Sequence, residues 1–121
     1  MSNDNESAFG DVIFSYTRRQ AIRDGVLVDL TPYHSIQQAW KHHFACTSTV
    51  WSIIENCGQI EDCACQLISV AAITKIREQP ANSDALRFSV NLGGKTYALK
   101  LHCGPGDTAE PVLTLMLPCE D

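Results

Sequence analysis

The stretch Leu86-Arg-Phe-Ser-Val-Asn-Leu92 carries apolar side chains at its even positions and polar ones between them, and Gly93-Gly94 follows at once. Period-two alternation marks a strand with one buried face. Two glycines can take the positive φ angles that a two-residue hairpin turn demands, because they lack a Cβ. A hairpin closed there sets Leu92 opposite Lys95, Val90 opposite Tyr97, Phe88 opposite Leu99 and Leu86 opposite Leu101. Apolar meets apolar in all but the first pair, and a one-residue slip would turn one strand inside out. Strands are therefore predicted over 86–92 and 95–102.

After a turn-rich segment, Gly104-Pro-Gly-Asp-Thr-Ala-Glu-Pro111, comes Val112-Leu-Thr-Leu-Met-Leu117, apolar on both faces apart from Thr114. Such a strand belongs inside a sheet or under cover on both sides. With 112–117 added, the C-terminal third becomes a three-stranded antiparallel meander.

The preceding chain is mostly helical in pattern. From Ile60 to Glu78 two stripes, Ile60/Ala64/Leu67/Ala71 and Cys65/Ile68/Ala72/Ile76, leave only Asp62, Gln66, Ser69 and Arg77 as a narrow polar face. A helix so apolar is predicted to be buried on most sides, as the central core helix. Gln79–Asp84 ends it in a loop. Earlier, Thr17 can cap a short helix over Arg18–Asp24 that Gly25 stops. Val26–Leu30 fits either strand or extended loop. Thr31-Pro32 signals a helix running to about Trp40, which His42-His43-Phe44 breaks, and Thr47 caps another carrying Val50, Trp51 and Ile54, closed by Gly58. Alternation of Val12, Phe14 and Tyr16 predicts an N-terminal strand able to extend the sheet, behind a disordered tail over residues 1–10. The layout is α+β: a short strand and helices first, a long buried helix over 60–78, then the meander, all in one domain over 11–121.

No apolar run approaches the roughly 20 residues that span a bilayer, and the polar start lacks the features of a secretory signal, so a soluble cytoplasmic protein is expected. Six cysteines in such a chain are read as free thiols, with Cys46, Cys63 and Cys103 standing where an aliphatic residue would serve. A net charge of −5 argues against a nucleic-acid partner, since phosphate neutralisation needs a basic field. Glu61-Asp62 and Glu120-Asp121 read as solubilising charge, and Trp40 and Trp51 as core.

The segments Tyr16 to Leu30, Thr47 to Trp51 and Cys103 to Asp121 together resemble a family of small bacterial proteins known only as a domain of unknown function. Its members read AIxDGVLVD near the start and GPGDxxEPVxTxMLPxED at the end, and tend to occur on plasmids, integrated elements and phages. Here the motifs stand as Ala21-Ile-Arg-Asp-Gly-Val-Leu-Val-Asp29 and Gly104-Pro-Gly-Asp-Thr-Ala-Glu-Pro-Val-Leu-Thr-Leu-Met-Leu-Pro-Cys-Glu-Asp121. Members carry a Tyr-Pro-Val approach to the second helix where this chain has His42-His43-Phe44, and often insert residues before the long helix. The resemblance implies an accessory protein of a mobile element and no particular activity.

Candidate chemistry is sparse. His42, His43 and Cys46 form an H-H-x-x-C cluster that Cys57, Cys63, Cys65 or His102-Cys103 could complete, but no paired ligand knuckle is present. Cys63 and Cys65, two apart on a helix, point away from each other. Cys103 and His102, neighbours on a strand, face opposite sides. The GPGD loop lacks the Gly-Lys-Ser/Thr ending of a phosphate-binding loop. Its Asp107 is expected to cap its own turn, or, with Glu110 and the Arg18-Arg19-Arg23 helix, to build a recognition surface.

The sequence thus predicts a non-enzymatic interaction protein without a cofactor, partnered by another protein, with neither nucleic acid nor membrane. A homodimer through an exposed sheet edge is compatible with the layout. Two alternatives stay open: a small metal-dependent or thiol enzyme using the His42/His43/Cys46 region, and a nucleic-acid-binding regulator using Arg18, Arg19 and Arg23.

Overall fold

A computed structural model describes residues 17–78 and 85–120. The expected tail over 1–10, the strand at Asp11–Tyr16 and the loop at Gln79–Asp84 lie outside the described residues. The described elements run α1 (Arg18–Arg23), β1 (Leu27–Asp29), α2 (His34–Ala39), β2 (His43–Thr47), α3 (Ser48–Asn56), α4 (Glu61–Glu78), β3 (Ala85–Leu92), β4 (Lys95–Pro105) and β5 (Pro111–Met116). The α+β class holds, and no helix among these residues is long and apolar enough to cross a membrane.

The hairpin has the predicted register, with Leu92 opposite Lys95, Phe88 opposite Leu99 and Leu86 opposite Leu101. β5 pairs antiparallel with β4, completing the meander. The sheet, however, has five strands in the order β1-β2-β5-β4-β3. β2 runs parallel to β5, and β1 runs antiparallel to β2. β5 is thus the central strand, with Val112, Leu113, Leu115 and Met116 all buried, as its two-faced apolarity required.

The expectation that 42–44 merely interrupts a helix is corrected: His43–Thr47 is a strand, and its Phe44, Ala45 and Cys46 are fully buried. Thr31 does not start α2 either. Its hydroxyl accepts from the Phe44 amide at 3.0 Å and donates to the Phe44 carbonyl at 3.2 Å, tying the chain after β1 to β2. The helix begins three residues later, where Asp62 accepts from the Ser35 amide and hydroxyl, each at 3.0 Å. Those donors hold the Asp62 carboxyl below the usual carboxylate range. Asp62 is therefore more than solubilising charge, and so is Glu120, which accepts from the Thr47 hydroxyl at 2.9 Å.

Two helix caps form as the sequence indicates. Thr17 and Gln20 make a reciprocal capping box at α1. Gly25, at φ +81°, ends it, with the Val26 amide bonded to the Ala21 carbonyl and the Gly25 amide to that of Ile22. At α3 the Thr47 hydroxyl accepts from the Val50 amide.

Helices α2, α3 and α4 cover one face of the sheet, sealing Phe44, Cys46, Leu99, Leu101, Leu113 and Leu115 with Ile36, Ile54, Ala64 and Ile68. Trp40 and Trp51 are half-buried against this core. The central helix is less enclosed than its composition predicts. Its inner side, Ala64, Cys65, Ile68, Ser69 and Ala72, is buried. Ser69 leaves the expected polar face because its hydroxyl takes the Trp40 indole N–H at 3.0 Å. The outer side, with Leu67 and Val70 and with Ile60 just before the first turn, is exposed, and Ile76 emerges from the inner stripe near the helix end.

Candidate functional site

α1 is joined to the opposite face of the sheet by Arg18. Strand alternation turns His43 and Thr114 to that face while Phe44, Cys46, Leu113 and Leu115 point to the core. The Arg18 guanidinium donates through Nε to His43 Nδ1 at 3.1 Å, through Nη1 to the Thr114 hydroxyl at 2.6 Å and through Nη2 to the Leu113 carbonyl at 2.7 Å. His43 Nε2 lies 3.2 Å from Asp29 Oδ1. Since Nδ1 accepts from Arg18, the neutral ring carries its proton on Nε2, toward Asp29. Burial lowers the Arg18 pKa, and the charges of Asp29, Asp107 and Glu110 oppose that. Nothing in the sequence pattern marks Asp29 and Thr114 as members of this joint, because the β1–β2 pairing brings in the first and the β2–β5 pairing the second.

The GPGD loop reaches the same place. Asp107 does not cap its own turn: its two oxygens accept from the Arg18 amide at 2.8 Å and the Arg19 amide at 3.1 Å, the first two amides of α1. These donors hold the Asp107 carboxyl below the usual carboxylate range. Glu110 braces the loop instead, accepting from the Thr108 hydroxyl and, at 2.9 Å, from the Thr108 amide. The sequence-level grouping of Arg18, Arg19, Asp107 and Glu110 is thus spatially real, and with Ile22 and His43 they line a hollow of about 270 Å³. An open cleft of about 690 Å³ lies beside it, between α1, Val26 and Met116. Arg18 and Asp107 are spent on internal bonds. Arg19 is exposed, and the Arg23 side chain is 69% exposed with Asp24 at 3.8 Å.

Both ring nitrogens of His43 are taken, by Arg18 and Asp29, which leaves neither to activate a nucleophile. The His42/His43/Cys46 cluster does not gather. His42 is exposed, His43 faces α1, and Cys46 is fully buried on the other side of the strand. Burial, reinforced by Cys65, pushes the Cys46 thiol up to about 12, and burial does the same to Cys65. Neither supplies a thiolate near neutral pH. Among the described residues no three His, Cys, Asp or Glu side chains converge to hold a metal ion. All six cysteines are free; Cys46 is core as expected, whereas Cys63 and Cys103 are exposed rather than filler.

The outer face of α4 is the remaining candidate surface. Ile60 is 70% exposed, Leu67 39% and Val70 57%. The exposed residues at 60, 63, 67 and 70 recur at alternating three- and four-residue steps, a spacing that could have marked a second, outward seam. Matched against protein-family models, curated proteins and solved structures, the chain finds no counterpart in any of the three.

Proposed function

We propose that this chain is a non-enzymatic interaction protein that docks another protein in the cytoplasm, as an accessory or regulatory factor of a mobile genetic element that modulates a host system. The observation that carries this is the aliphatic row on α4. Single exposed apolar residues are ordinary, but a row along one helix face is the surface that partners cover. The internal bonds of Arg18, Asp107 and His43 and the full burial of Cys46 speak against catalysis at those residues. The net charge of −5, with only Arg19 and Arg23 of the basic cluster turned outward, speaks against nucleic acid. The mobile-element setting rests on the sequence resemblance.

The test is photo-crosslinking in native cells from a benzoylphenylalanine placed at Gln66, exposed beside the row, with Lys95 as control position. A covalent adduct with a polypeptide is expected from position 66, lost in Val70→Glu and kept in Arg19→Glu/Arg23→Glu. Crosslinking at 66 no stronger than at 95, or an adduct with nucleic acid, overturns the proposal.

A further inference from the structure

We propose that His43 is a proton switch: with a neutral ring it holds α1 on the sheet, and with a protonated ring it lets α1 go. The switch is separate from the α4 face and adds a regulated element on the other side of the sheet.

The Arg18 guanidinium is charged, yet its three side-chain bonds go to neutral acceptors: His43 Nδ1, the Thr114 hydroxyl and the Leu113 carbonyl. The first of these bonds exists only while Nδ1 keeps its lone pair free of a proton. A proton arriving there removes the acceptor and sets an imidazolium N–H against the Arg18 Nε–H across 3.1 Å. The charged ring has another partner in place, because Nε2 stands 3.2 Å from Asp29 Oδ1. The His43 side chain is 33% exposed, so solvent protons reach it.

Which partner yields is decided by how each is anchored. His43 and Asp29 stand on neighbouring strands of the sheet, and Asp29 Oδ1 is fixed further by the Thr31 amide at 2.9 Å. Arg18 stands on a helix of six residues, of which only Ala21 is buried. The helix is therefore the movable member. Among the described residues, the charged groups around the ring are Arg18 and Arg19 from α1, Asp29 from β1, and Asp107 and Glu110 from the β4–β5 loop. From β5 comes the uncharged Thr114, and His42, next on the chain, is exposed. Asp107 and Glu110 are held below the usual carboxylate range and keep their charge in mildly acid solution, where an imidazole changes its own.

With α1 docked, Arg18 opposes the proton and Asp29 invites it. Once α1 lifts, Asp29 acts without that opposition. The proton thus binds more tightly to the released form, and a fall in pH shifts the balance toward release. Since the two charges act on the docked ring in opposite senses, release of α1 rather than unfolding of the core is what the proton favours.

Amide hydrogen exchange on the full chain, corrected for the intrinsic rate, reads this directly. The Ala21, Asp24 and Val26 amides close α1. Their protection is expected to fall on the order of 10-fold between about pH 7.5 and 5.5, while that of the α4 amides holds level. His43→Asn sets an amide oxygen close to where Nδ1 stands, accepts from Arg18 at every pH, and is expected to keep the protection and lose its pH dependence. Asp29→Asn, which removes the partner of the imidazolium, is expected to move the loss to lower pH. In the unaltered chain, the NMR signal of the Arg18 Nε–H is expected to fade with the same midpoint at which the His43 ring takes up its proton. Equal α1 protection at both pH values, a loss that persists in His43→Asn, a parallel loss in α4, or an Arg18 signal that survives ring protonation overturns the proposal.

Discussion

The amide of Arg18 donates to Asp107 Oδ1 at 2.8 Å across 89 positions of sequence, so the first turn of the first described helix is closed by a side chain from the β4–β5 loop. Arg18 answers through its side chain, which grips β5 at the Leu113 carbonyl and the Thr114 hydroxyl. The helix is fastened at both its backbone and its side chain to the C-terminal part of the sheet.

Acid should loosen this joint first. The folded-state pKa of Asp107 is lowered by the Arg18 and Arg19 amides, and Asp62 and Glu110 are lowered by their own donors. A lowered carboxyl pKa stabilises the fold fully above the unfolded value of about 4, and that contribution disappears as pH falls through the folded value. Urea midpoints are expected to be level above pH 5 and to drop below about pH 4. Asp107→Asn is expected to be less stable at pH 7 and to lose part of that acid slope.

Arg18→Lys is expected to destabilise by about 1–3 kcal/mol, nearly as much as Arg18→Ala. A lysine keeps the charge but cannot serve the imidazole, the hydroxyl and the carbonyl from one planar fork. Chemical denaturation of the two variants side by side checks this; a near-neutral lysine variant would show that the bonds to His43 and Thr114 contribute little.

Thiol labelling should sort the cysteines by environment. Cys63, Cys103 and Cys119 are exposed and should react with a disulfide reagent within seconds to minutes, and Cys57, half-buried with its thiol donating to the Ile54 carbonyl, more slowly. Cys46 and Cys65, both pushed up to about 12 by burial, should react only on unfolding. Mass spectrometry of native and guanidine-unfolded protein reads the sites directly.

The hairpin turn offers a paired comparison. Gly93 and Gly94 both have positive φ, at +62° and +87°. A Cβ on Gly94 meets nothing, whereas one on Gly93 would overlap the Cys57 carbonyl oxygen at the end of α3. Gly94→Ala is expected to cost about 1 kcal/mol, for the backbone conformation alone. Gly93→Ala is expected to cost about 2–4 kcal/mol, because a main-chain carbonyl cannot step aside cheaply. Equal costs would mean that α3 and the turn are not in contact.

What was legible in the sequence was what neighbouring residues decide among themselves. Thr17 ahead of a helix that Gly25 stops spells a cap, Gly93-Gly94 between alternating strands spells a register, and the apolar run Val112–Leu117 identifies an interior strand. β2 escaped because its parallel partner lies about seventy residues further on and no turn announces the pairing. Asp107 was grouped with Arg18 and Arg19 from the sequence, but its role as acceptor of their main-chain amides was not, since those donors sit nearly ninety residues earlier. Hydrophobic counting located α4 but not its orientation: Ile60 and Leu67 belong to the same stripe as Ala64, yet only Ala64 reaches the core.

The place of β5 in the middle of the sheet governs how this chain comes off the ribosome. The hairpin β3–β4 and the pair β1–β2 can each form early, but no strand joins them into one sheet until Pro111–Met116 slides between. Until then Phe44 and Leu101 have no common floor, and two half-sheets with open edges wait side by side. Folding should accordingly be governed by the slow closure of distant pairings, and a nascent chain stalled before residue 111 should be a substrate for chaperones rather than a smaller protein.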